Sequence, residues 1–129
     1  MLLNVGLKGD GSLRNIDKAM LEEIGIWVKL NKNFIYKIRR VEDVKAENAQ
    51  IVKDDKYYYA IIKDVPMKAD PDVAIGGNIK EVFIDAKIKD AVWLDNGEKI
   101  KVKDGRFVGR PFYYGNSLYV RVARFKIAK

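Results

Sequence analysis

At 129 residues, 48% of them apolar, the chain is long enough to bury a core as one domain without covalent staples. It has no cysteine and no histidine, which excludes a disulfide scaffold, thiol catalysis, thiolate and imidazole metal sites, and any Ser-His or Cys-His triad. The formal net charge of +7 raises a polyanion partner, but the lysines are dispersed. Only Arg39-Arg40 and the alternating Lys99, Lys101 and Lys103 cluster, and alternation on a strand is what a solvated sheet face produces, so no nucleic-acid partner is expected.

Leu2, Leu3 and Val5 make a short buried-strand signal that is cut at Gly6, and Gly9, Asp10 and Gly11 supply turn chemistry where positive φ is cheap. A helix pattern follows. Met20, Ile24, Trp27 and Asn31 fall on one line, and Ile16, Leu21 and Val28 widen the stripe. Strand, glycine turn and helix form a βα unit, which needs a parallel strand beside it. Nothing downstream offers one, so the unit is expected to belong to a sheet that the rest of this sequence does not carry.

Leu2-Leu3-Asn4-Val5-Gly6, Gly9-Asp10-Gly11-Ser12-Leu13, the helix residues Leu21, Ile24, Gly25, Trp27, Val28 and Asn31, and Ile35-Tyr36 together resemble one known segment. It is the one that closes the catalytic barrel of the family 29 glycoside hydrolases, the α-L-fucosidases. Leu7 and Arg14 stand where family members often carry proline, and Lys32 where glycine is usual, which marks a divergent copy. The resemblance covers residues 1–36, and the remainder matches in length and order of strands.

Residues 37–48 mix charge with Val41 and Val44 and read as a connecting arm, with the β region beginning near Ala49. Gln50 to Val52, a turn over Lys53 to Lys56, and Tyr57 to Lys63 make a first hairpin whose second strand is apolar on both faces. That predicts a central strand covered on both sides, with the helix on one of them. Pro66 and the run from Met67 to Pro71 carry the chain to another sheet. Val73 to Ile75, the Gly76-Gly77-Asn78 turn and Lys80 to Ile84 form the next pair. Ala91 to Leu94 and Lys99 to Val102 flank an Asn96-Gly97 turn, with Val92 and Leu94 expected on the face of Ile100 and Val102. Asp104-Gly105 turns the chain into Arg106 to Val108. Leu118, Val120 and Val122 then alternate inward, and the opposite parity of Phe125 and Ile127 calls for a bulge near Ala123-Arg124. The expected fold is mainly β, a two-sheet antiparallel Greek-key sandwich of about seven or eight short strands. One N-terminal α-helix packs against it. The expected division is 1–36 as a remnant of a (β/α) barrel, 37–48 as the arm and 49–129 as the sandwich.

The sandwich half carries no motif for a metal, cofactor or phosphate site, and none is expected. Carboxylates such as Asp54, Asp55 and Asp95 sit where turns need them. Exposed aromatic rings would stack on sugars, which makes Trp93, Tyr113 and Tyr114 the candidate glycan contacts; packing is the plainer role for each. Trp93 lies opposite Val92 and Leu94, either exposed or packed under the helix. The resemblance implies more. Family enzymes hydrolyse terminal α-L-fucosides with retention through two carboxylates carried on the barrel, and no position of this chain matches either. Asn4 and the Gly6 to Ser12 loop would lie at the barrel's active face, with turn stabilisation the plainer role for Asn4.

The expected function is therefore a C-terminal accessory domain of an α-L-fucosidase-like enzyme, inactive by itself. Its partners would be a fucosylated glycan through the parent, and a separate barrel chain or a second copy over an exposed apolar patch. The alternative is a stand-alone carbohydrate-binding module. No apolar run approaches the ~20 residues of a membrane span, and no signal peptide is evident before Asn4, so a cytoplasmic protein is expected. Abundant Lys, Glu and Ile with a single Gln50 lean toward a thermophile's composition.

Overall fold

The computed structural model describes residues 5–63, 65, 80–109 and 120–128. The Leu2-Leu3 strand signal, Asn4, the Pro66 to Pro71 crossing, the Val73 to Asn78 half-hairpin, Tyr113, Tyr114 and Leu118 lie outside them. Helix α1 spans Asn15–Ile35. The strands are β1 (Arg39–Arg40), β2 (Ala46–Glu47), β3 (Gln50–Lys53), β4 (Tyr58–Ile62), β5 (Lys80–Ile84), β6 (Ile88–Trp93), β7 (Arg106–Gly109) and β8 (Arg121–Ile127). They form an antiparallel five-stranded sheet in the order β1-β3-β4-β8-β6 and an antiparallel three-stranded sheet in the order β2-β5-β7. Among the described residues neither sheet closes on itself. Among the described residues the fold is a two-sheet sandwich with one helix, as the strand pattern predicts.

Before the helix, a tight turn pairs Leu7 with Leu13, and the Asp10 carboxylate accepts from the Ser12 amide and hydroxyl at 3.0 and 2.6 Å. Gly11 takes the φ of 83° that this turn requires. Arg14, still extended, donates to the Asp17 carboxylate at 2.7 and 3.0 Å, and that acid in the first turn also suits the helix dipole. The C-terminal half of α1 lies on the larger sheet, where Phe34 meets Tyr59 with ring centroids 5.0 Å apart and Trp27 donates its indole N–H to the Val120 carbonyl at 2.7 Å. Trp27, Phe34 and Ile35 join Val52, Tyr59 and Val122 in one apolar layer. The other face of the same sheet packs on the smaller sheet through Ile51, Ala60, Ile62, Phe125, Val82, Ile84 and Phe107. Strand β4 is covered on both sides, which is why both of its faces are apolar.

Three details depart from expectation. Strand β8 runs in unbroken register against β4 from Arg121–Ile62 to Phe125–Tyr58, so it has no bulge; Val122 faces the helix while Ala123 and Phe125 face the smaller sheet, and both parities are buried. The irregularity lies in β6, between Lys89 and Val92, where Asp90 adopts a φ of 53°. The Asn96-Gly97 turn closes on Trp93 and Glu98, with the Trp93 amide donating to the Glu98 carbonyl and the Gly97 amide to the Trp93 carbonyl, each at 2.8 Å. Ile100 is thereby placed opposite Ala91, to whose carbonyl its amide donates, and not with Leu94, which faces the helix layer. A change of register moves every side chain across the sheet. Of the Lys99 to Val102 strand only the Val92–Lys99 bridge forms. Sheet pairing begins at Arg39, and the segment read as an arm contributes a two-residue edge strand to each sheet.

Candidate functional site

The register of the Asn96-Gly97 hairpin turns Trp93 into the space between the sheets, where it is 3% exposed. Phe107 meets it edge-on with centroids 6.2 Å apart, and the Arg121 guanidinium sits 3.9 Å from its ring centroid. Arg121 in turn donates two hydrogen bonds of 2.8 Å to the Asp95 carboxylate, both side chains being almost wholly buried. A groove of about 360 Å³ lies alongside, lined by Trp93, Glu98, Lys99, Ile100, Lys101 and Val108. Trp93 is thus buried with a cation against its ring, and it lies between the sheets and not under the helix. Asn4, Tyr113 and Tyr114 lie outside the described residues.

The Arg121–Asp95 pair was not singled out by sequence reasoning. Its signal was an arginine inside an otherwise apolar run, Val120 to Ala123, and a turn aspartate whose partner lies 26 positions further on. Other carboxylates are also engaged: Asp54 accepts from the Lys56 and Tyr57 amides at 2.7 Å each and from the Tyr59 hydroxyl at 2.5 Å, Glu81 pairs with Arg106, and Asp55 with Arg39. Burial works to raise the Asp54 carboxyl, and those three hydrogen bonds outweigh it and hold the group below its ordinary value. Burial and the Asp54 charge push the Tyr59 hydroxyl far up. Among the described residues no group of three or more Asp or Glu side chains is arranged to hold a metal, and no helix is long and apolar enough to cross a membrane.

The helix has a second feature. On a wheel of 100° per residue, Ile16, Met20, Trp27, Asn31 and Phe34 fall within roughly 60° of one another. Phe34 and Asn31 are buried, yet Ile16 and Met20 on the same stripe are 64% and 58% exposed, because the helix projects past the sheet that covers its later turns. Leu7, just before it, is 63% exposed. Asn31 donates to the Trp27 carbonyl at 2.9 Å, and its own side-chain oxygen is buried without a partner.

A two-sheet sandwich of five and three strands, entered through a long helix whose first turns leave their apolar side uncovered, is the class of domain these elements define. The same fold occurs in α-L-fucosidases. Alpha-L-fucosidase isoenzyme 1 from Paenibacillus thiaminolyticus superposes with a TM-score of 0.63 and 22% identity over 100% of this chain and 31% of that one. The Thermotoga maritima alpha-fucosidase in complex with a mechanism-based inhibitor gives 0.57 and 18% over 96% of this chain and 29% of that one. The same enzyme in complex with fucose gives 0.57 and 19% over 97% and 30%. The chain therefore spans less than a third of the length of these enzymes, and at such identities the likeness is one of fold. No family model matches the sequence, and no curated protein matches it significantly.

Proposed function

We propose that this chain is the C-terminal accessory domain of an α-L-fucosidase-like glycoside hydrolase, whose catalytic barrel lies in the remaining two thirds of the enzyme. The observation that carries the reading is the match of the whole chain, helix included, to a fraction of each fucosidase, joined to an apolar helix stripe left open at Ile16 and Met20. An uncovered stripe of this kind needs a partner, and a barrel supplies an apolar surface of the right origin. The proposed division into residues 1–36, 37–48 and 49–129 is one of descent from barrel, arm and sandwich, not of folding.

In this reading the chain contributes no catalytic carboxylate. Its engaged carboxylates hold turns and ion pairs, and retention needs two carboxyl groups ~5 Å apart across a sugar cleft. Asn4, Tyr113 and Tyr114 remain the candidate residues at the rim where the fucosylated glycan enters. A chain without cysteine suits the reducing cytoplasm. The burial of Trp93, 3% exposed, favours the accessory reading over an independent carbohydrate-binding module, which would present its aromatic rings to solvent. The test is hydrolysis of a chromogenic aryl α-L-fucoside by the purified chain alone and after mixing with a barrel-only fragment of a related fucosidase. Silence alone and turnover in the mixture are expected; turnover by the chain alone overturns the assignment.

A further inference from the structure

Past the end of α1, on the helix-bearing face of the larger sheet, Tyr57 and Arg124 are half-buried and Lys56 and Lys126 exposed. The side-chain rows of that face are fixed by register: Tyr59 lies opposite Arg124, Arg124 opposite Val92, and Lys126 opposite Lys89. Tyr57 stands one step beyond the Tyr58–Phe125 pair, in the row of Lys126. Three cations converge on the Tyr57 ring: the Arg124 guanidinium carbon at 4.5 Å from its centroid, the Lys56 ammonium at 5.3 Å and the Lys126 ammonium at 5.7 Å. The nearest carboxylates are Asp54, engaged by the Lys56 and Tyr57 amides and the Tyr59 hydroxyl, and Asp90. Lys126 approaches Asp90 at 3.6 Å in an exposed pair, and among the described residues neither Arg124 nor Lys56 has an ion-pair partner. Like charges held around one ring repel one another, and an anion bound among them would relieve that repulsion.

We propose that this cluster binds the sulfate ester of a sulfated glycan. The Arg124 guanidinium, its carbon 4.5 Å from the Tyr57 centroid, offers a planar fork of N–H donors suited to oxyanion oxygens, while Lys56 and Lys126 add mobile donors. A tetrahedral oxyanion with several outward oxygens suits three donors from different directions. Nucleic acid fits less well on two counts. The footprint is one cluster, not the row of phosphate contacts that gives polynucleotides their affinity, and the Tyr57 ring is covered by cations and cannot stack a base. The choice of a glycan as the carrier of the anion rests on the fucosidase-like reading, whereas the anion site itself rests on the cluster.

The test is calorimetric titration of the full chain with a sulfated fucan oligosaccharide, the same oligosaccharide after desulfation, and a single-stranded oligothymidine. Binding of the sulfated form alone is expected, weakening as salt rises. Arg124→Gln should lower the affinity about tenfold, the scale of one lost charge-assisted contact, and so should the exposed pair Lys56→Gln and Lys126→Gln, which leaves the strand interior untouched. Lys18→Gln with Lys29→Gln, two charges removed from the exposed side of α1, should change it less than about twofold. Equal loss in the helix variant, equal binding of the oligothymidine, or no binding of the sulfated sugar overturns the proposal. Since an aryl fucoside carries no sulfate, the complementation assay succeeds or fails independently of this one.

Discussion

Asp95 and Arg121 tie the Asn96-Gly97 turn to the first residue of β8 through a pair whose side chains are 2% and 1% exposed. Two charges so deeply buried are costly to separate, because removal of Asp95 takes a bidentate counter-ion from a guanidinium held in the interior. Asp95→Ala should therefore lower the unfolding free energy by about 3–5 kcal/mol in urea titrations, while Asp95→Leu combined with Arg121→Met should recover most of that loss. A double variant as unstable as the single one would mean that the pair is needed for more than charge balance. Asp54 acts at a more exposed position. Its carboxyl is held below the ordinary value, so it contributes stability above the unfolded value of about 3.9 that is lost as pH falls through the lowered folded value. Asp54→Asn is expected to melt at a lower temperature than the parent at neutral pH and to show a shallower loss below about pH 4, measured by thermal unfolding across the acid range. The turn roles of these two acids were legible locally. The reach of Asp95 to a residue 26 positions away was not, since nothing within the hairpin points to it.

At the scale of elements, what was legible followed period and what was missed followed from a second covering layer. The two apolar faces of β4 announced a strand between helix and sheet, and the structure places Tyr59 under Phe34 and Ala60 against the smaller sheet. The same logic applied to β8 would have removed the need for a bulge: two apolar parities in one strand mean two buried faces. Strands β1 and β2, of two residues each, are too short to show a period at all. The helix stripe read from Met20 to Trp27 as packing is packing only in its later turns, because sequence gives the direction of a face and not the extent of what lies beneath it. This sets a prediction for the proposed docking surface. Ile16→Glu with Met20→Glu should leave the melting temperature of the isolated chain nearly unchanged, since exposed substitutions usually stay within about 0.5 kcal/mol, and should abolish the fucosidase activity recovered on mixing with a barrel. A large fall in stability would show that this stripe is already covered within the chain.

Across the whole molecule, the two apolar layers share strands β3, β4 and β8, which carry Val52, Tyr59 and Val122 on the helix side and Ile51, Ala60, Ala123 and Phe125 on the other. Loss of either layer uncovers a face of the same strands, so helix and sandwich should unfold together in spite of their proposed separate descent. Scanning calorimetry of the full chain is expected to give one transition with equal calorimetric and van't Hoff enthalpies. A chain starting at Lys37 would keep every described strand but lose Phe34, Trp27 and the indole bond to the Val120 carbonyl. Truncation of a buried phenylalanine alone costs about 3–5 kcal/mol, and the newly open face would be apolar at Val52, Tyr59 and Val122. Its melting temperature should fall by on the order of 10–20 °C, with stronger binding of a hydrophobic dye than the full chain shows. An unchanged melting temperature would instead make the helix an independent appendage of a self-sufficient sandwich, and the barrel partner would then be attached through a hinge and not through a shared core.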